Sequence, residues 1–160
     1  MTVRSLTAVF RMAGMALLAV LVVTGCASAR ATPSIAIASA YVPQPTTPGT
    51  TVAYLEIRNN GPADKLLSAQ TSVGGTVQLR APGARHAGAL AMHTVPEIPI
   101  AGQAMTRFNP DSYHLLITGA GTMRDGKDIT LKLTFANAGT VTILAMVTNP
   151  QSGGSSYFLN

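Results

Sequence analysis

Short stretches of alternating apolar and polar residues, each stopped by glycine, proline or asparagine, govern what this chain can fold into. Residues 51–58 show it most plainly: Val52, Tyr54, Glu56 and Arg58 fall on one side, and Ala53, Leu55 and Ile57 on the other. A period of two sends successive side chains to opposite faces, which is the signature of a half-buried strand. The same reading applies from Ile35 to Val42 and over 65–71, 76–81, 89–95, 113–118, 129–136 and 140–147. Pro43, Pro45, Pro48 and Gly49 end the first of these, and Asn59-Asn60-Gly61-Pro62 is a dense turn signal. Asn137-Ala138-Gly139 provides a short hairpin loop between the last two. No amphipathic helix is expected after residue 26. Roughly eight or nine short strands at such spacing predict an all-β chain folded as a β-sandwich. The length of 160 residues suits one such domain.

The amino end belongs to a different category. Arg4 and Arg11 stand in a stretch without acids, and Met12 to Val23 is an unbroken apolar or small-residue run. That combination is a secretory signal, too short for a spanning helix. It leads into Val23-Thr24-Gly25-Cys26, which resembles a bacterial lipobox, with the cysteine of the chain at the position that is acylated. The expected organisation is a lipoprotein signal peptide over 1–25, a tether over 26–34, a folded domain over 35–148 and a tail over 149–160. Tyr157, Phe158 and Leu159 give the tail apolar side chains that could dock on the domain. The mature protein is expected outside the cytoplasm, held to the bacterial membrane by the lipid on Cys26.

Composition removes several classes of function. One cysteine excludes a disulfide framework and any CxxC redox or zinc motif, and lipidation would consume its thiol. The net charge of +5 includes Arg4 and Arg11, and the remaining basic residues form no run. With aromatics at 5% and no tryptophan, nucleic acid is not an expected partner. The six acids, Glu56, Asp64, Glu97, Asp111, Asp125 and Asp128, are scattered, and no GxSxG, P-loop, HExxH or dinucleotide fingerprint occurs. An enzyme is therefore not expected.

The domain does carry His86, His93 and His114 together with Met92, Met105, Met123 and Met146. Thioether sulfur combined with imidazole is a ligand set that suits Cu(I). From about Tyr41 to Val147 the chain resembles the periplasmic copper chaperone family of the PCu(A)C type. The resemblance is carried by Ala53-Tyr54-Leu55-Glu56-Ile57-Arg58-Asn59-Asn60-Gly61, Asp64-Lys65-Leu66-Leu67-Ser68-Ala69, Pro99-Ile100-Ala101-Gly102, Ser112-Tyr113-His114-Leu115, Leu131-Lys132-Leu133-Thr134-Phe135 and Asn137-Ala138-Gly139-Thr140-Val141-Thr142. It implies a cupredoxin-like Greek-key β-sandwich that binds copper, as Cu(I), and passes it to a membrane protein such as cytochrome oxidase.

The resemblance also implies a ligand pattern of His, Met and His-x-Met. Met92 and His114, with 21 residues between them, match its second and third ligands. The first position falls on Arg80, or on Ala81 by strict spacing, and Leu116 stands at the last. An arginine there would oppose a bound cation. His86, expected in a loop over 82–88, is the candidate third donor beside Met92 and His114. His93 should face away from Met92 by strand parity, and Met123 should lie at the far end of the strand that begins near His114. The alternative function is a metal-free cupredoxin-like interaction or assembly module that has lost copper binding.

Overall fold

The computed structural model describes residues 35–47, 49–86 and 89–152. The expected signal segment, the tether up to residue 34 and the tail from 153 on lie outside those residues. Ten strands follow one another: β1 (Ile35–Pro43), β2 (Thr50–Asn59), β3 (Asp64–Thr71), β4 (Thr76–His86), β5 (Ala89–Thr94), β6 (Ile98–Ile100), β7 (Ala104–Phe108), β8 (His114–Thr118), β9 (Asp128–Phe135) and β10 (Gly139–Thr148). The helical content of the described residues is a single 3-10 turn, Pro150–Ser152. The described residues are all-β, as the alternation predicts.

The strands run in the order β5-β4-β8-β2-β1-β10-β9-β3-β6, with β7 added to β2. Neighbours are antiparallel except β1 and β10, which run parallel. This interleaved order, with partners distant in sequence, is that of a Greek-key sandwich. β2 joins the two layers along one edge: Thr50–Ala53 pair with β8, and Leu55–Asn59 pair with β7. One layer is thus β5-β4-β8 and the first half of β2, and the other extends from the second half of β2 to β6. Leu79, Leu115 and Ile117 of the first layer and Ile57, Leu131 and Leu133 of the second are all buried in one apolar core. Each such side chain contributes roughly 1.5–3 kcal/mol by leaving water.

β6 and β7 lie in a stretch where the sequence reading expected no strands. Pro99 interrupts β6, but β6 is an edge strand, where a missing N–H costs no ladder bond. Ile98 and Ile100 are fully buried on either side of it.

β1 is not a uniform strand. Ile35 and Ile37 pack toward the core in its first half, and Val42 does so in its second. The change from odd to even positions occurs at a register shift between Ala38 and Tyr41, where Ser39 takes a positive φ of 51°. A bulge of this kind inserts one residue and exchanges the faces of everything beyond it. Its consequence is that Tyr41 points outward, beside Tyr54 of β2, with ring centroids 5.3 Å apart.

Candidate metal centre

Parity sets the side chains on the outer face of the first layer. Leu79 and Ala81 are buried in the interior, so Arg80 between them projects outward. The β4–β8 register pairs Arg80 with His114, and the β4–β5 register pairs Arg80 with Thr94. Tyr54 stands edge-on to His114, with centroids 6.2 Å apart and an interplanar angle of 72°. A continuous row therefore crosses five strands: Thr94, Arg80, His114, Tyr54 and Tyr41.

Met92 lies opposite Pro82, two residues from Thr94 and on the same outward side. Met92 and His114 thus share one face, with the backbone of β4 between them. Adjacent strands are about 4.8 Å apart, so their backbones stand roughly 10 Å apart across the sheet. The sequence left the first position open between Arg80 and Ala81. The register favours Arg80, because Ala81 is turned into the core.

The guanidinium of Arg80 is anchored toward β5. Its Nη1 donates to Thr94 Oγ1 at 2.8 Å, and its Nη2 donates to the Met92 carbonyl at 2.5 Å. Its Nε is buried and has no hydrogen-bond partner, and the same holds for Nδ1 of His114. His114 as a whole is 9% exposed. Burial holds its imidazole below the ordinary value, and the charge of Arg80 adds to the effect against a smaller opposing pull from the Ser112 backbone. The ring is therefore neutral at pH 7 and keeps a lone pair that can bind a soft metal.

Of the other candidate residues, His93, Met105 and Met123 lie apart from this place. β4 continues through the expected loop as far as His86, with a register shift between Pro82 and Arg85. The backbone of His86 pairs with Ala89 at the end of the hairpin, and its side chain lies outside the described residues. His93 pairs with the buried Ala81 and is exposed on the side away from Met92, close to Gly83. Met123 is buried in the core, its carbonyl accepting from Gln44 Nε2 at 3.1 Å. Met105 faces a separate open groove that it lines with Pro99, Ile100 and Tyr113. Leu116 follows His114 on the outer face, paired with Gln78 and Val52.

Among the described residues no group of three or more His, Cys, Asp and Glu side chains comes together to hold a metal ion. A centre here would have to draw on the methionine sulfur, which is the donor choice of a soft cation. His114, with its unpartnered buried nitrogen, fits that use, and Met92 fits it by face and register. The cation of Arg80 between them does not. Thr94 and Tyr54, which hold Arg80 and flank His114, were not singled out from sequence. Alternation sets Tyr54 on the side of Val52 and Thr94 on that of Met92, and the neighbouring strands that bring them to Arg80 and His114 are given only by the registers.

The solved structures most like this chain include a copper-bound PCuAC domain from PmoF2, with a TM-score of 0.61 and 20% identity over 72% of this chain and 93% of that one. An apo PCuAC domain from PmoF1 matches with a TM-score of 0.61 and 19% identity over 72% of this chain and 94% of that one. The Cu(I) form of DR1885 from Deinococcus radiodurans matches with a TM-score of 0.57 and 20% identity over 78% of this chain and 83% of that one. At these identities the likeness establishes the fold, which is the cupredoxin-like β-sandwich of PCuAC domains. No curated protein matches the chain. The family model LpqE-like matches residues 35–147, most of the chain and nearly the whole described domain, and the chain belongs to the LpqE-like family.

Proposed function

We propose that this protein is a membrane-anchored extracytoplasmic copper-binding protein that uses the fold of the PCuAC copper domains with an altered ligand set. Met92 and His114 are its two retained protein ligands, and His86 is the candidate third donor. The observation that carries the reading is the buried, unpartnered Nδ1 of His114 on the same sheet face as Met92. Copper is cargo here, received and passed on as Cu(I) to a copper-accepting membrane protein such as cytochrome oxidase. Nothing in the site offers the nucleophile or acid-base pair of an enzyme. Cys26 serves the lipid anchor and takes no part in the site.

A second reading is favoured by one specific contact, the guanidinium of Arg80 tied to Met92 and Thr94 beside the imidazole. In that reading arginine is the resident cation, and the domain serves as a metal-free interaction or assembly module. Anaerobic Cu(I) titration of the domain against a competing chelator separates the two. The copper reading expects binding weaker than that of the Arg80→His, Leu116→Met double variant, which removes a cation and adds two donors. Wild type without binding, beside a double variant that binds, gives the metal-free reading.

A further inference from the structure

Among the described residues, the two buried side-chain polar atoms without a hydrogen-bond partner are Arg80 Nε and His114 Nδ1. They belong to one cross-strand pair of β4 and β8. Buried polar groups in folded proteins are normally satisfied, and a pair left unsatisfied on facing residues calls for a physical account. The outer nitrogens of the arginine are held on the β5 side by Thr94 and the Met92 carbonyl, while its Nε and His114 Nδ1 are buried without partners. The pairing keeps these two nitrogens out of solvent and unbonded.

We infer that Arg80 is a displaceable cationic plug over the His114–Met92 copper site, occupying it when copper is absent and leaving it when copper binds. This deepens the copper-binding reading and rests on it. A guanidinium cannot shed its charge at physiological pH, so it must move for a second cation to take its place. Moving it breaks the exposed bond to Thr94, which water can replace, and the part-buried bond to the Met92 carbonyl, against which Nε gains the partner it lacks in the closed position.

Two consequences follow from a competing cation built into the chain. Apparent affinity falls by the fraction of molecules in which the plug is open. The returning guanidinium also competes for the place of the metal during release, so the site is adapted to handing copper on. Arg80 is in this sense a specificity-determining and release-promoting residue, and Thr94 is a positioning residue that acts through it.

The test uses folded domain of wild type, Arg80→Gln, Thr94→Val and His114→Ala, each checked by circular dichroism and titrated anaerobically with Cu(I) against a chelator. Arg80→Gln keeps a polar side chain without the charge, and is expected to bind about tenfold or more tighter. Thr94→Val keeps the charge but loosens the tie, and is expected to bind tighter than wild type by a smaller factor, with a faster association rate. His114→Ala is expected to lose binding. In nitrogen-resolved NMR the Arg80 Nε–H of the wild type should be protected from exchange without copper and lose that protection on Cu(I) addition. If wild type and Arg80→Gln bind equally, the plug is wrong and the copper reading stands. If only Arg80→Gln binds, arginine is a permanent occupant, and both the plug and the copper reading fall. If neither folded protein binds Cu(I), the copper reading fails and the plug fails with it.

Discussion

His114 is the residue on which the proposed site turns, and its protonation has a sign that can be worked out. Burial first, and the Arg80 charge second, hold its pKa below the ordinary imidazole value. A folded-state pKa below the unfolded one adds stability that is complete above the unfolded value, near about 6.5. That stability is lost as pH falls through the folded value, because the unfolded chain takes up the proton first. The unfolding free energy of wild type should therefore fall relative to that of His114→Gln as pH is lowered from about 6.5. His86 and His93 are present in both proteins and cancel. In Arg80→Gln the relative fall should be shallower, since one of the two causes is gone. Urea titrations across this range provide the measurement, and parallel curves for wild type and His114→Gln would show that the ring is not depressed. The same proton competes with copper for the ring nitrogen, so a depressed pKa keeps the ligand available further into mildly acidic conditions.

At the level of elements, the site depends on β4 and β8 being held in register, and a turn glycine does much of that holding. Gly74 and Gly75 connect β3 to β4, with φ of +76° and +79°. A Cβ at Gly74 meets nothing within 4 Å, whereas one at Gly75 would come 2.2 Å from the carbonyl oxygen of Thr118 at the end of β8. Gly74→Ala should cost about 1–2 kcal/mol, the price of the left-handed conformation alone. Gly75→Ala should cost a further 1–3 kcal/mol or so, because backbone must shift to admit the methyl. Urea denaturation of the two variants measures the difference, and equal losses would mean that the β4–β8 junction yields easily. This junction is not visible in sequence, because it depends on β8 ending against the β3–β4 turn. The strands themselves were largely legible: 51–58 and 129–136 alternate cleanly, and these two together with 65–71 and 140–147 are each a strand within a residue or two. β6 and β7 were not, because Pro99, Gly102 and Pro110 give that stretch the local chemistry of a loop. Only the pairing of β6 with β3 and of β7 with β2 makes strands of it. Met92 and His114 were paired by the resemblance alone, and their shared face follows from the β4–β5 and β4–β8 registers. The choice of Arg80 over Ala81 could not be read from sequence either, since it depends on which residue β8 brings opposite His114.

For the whole molecule, the proposed anchor at Cys26 governs how far the His114 row can stand from a membrane. β1 begins at Ile35, paired with Asn59, and Tyr41 lies six residues further along the strand, beside Tyr54 and so beside His114. At about 3.3 Å per residue this puts the row roughly 20 Å from the point where the tether joins the domain. A tether over 26–34 spans at most about 30 Å when fully extended. Under the proposed lipid anchoring and copper transfer, reach of that order allows the His114 face to turn toward a membrane-embedded acceptor without the domain leaving the surface. The anchor and the site are then separable, and one substitution tests both the attachment and the separation. Mass spectrometry of the membrane-extracted protein should find an acylated Cys26 at the mature amino terminus. Cys26→Ser should release the protein from the membrane fraction while leaving the Cu(I) affinity of the domain unchanged, since the thiol is no ligand. Copper transfer to an acceptor in the same membrane should fall, because the tether raises the effective concentration of donor at acceptor. A wild-type protein found unmodified at Cys26, with its signal cleaved elsewhere, would remove the anchor from the account. Weakened Cu(I) binding in the folded Cys26→Ser protein would instead mean that the sulfur belongs to the site.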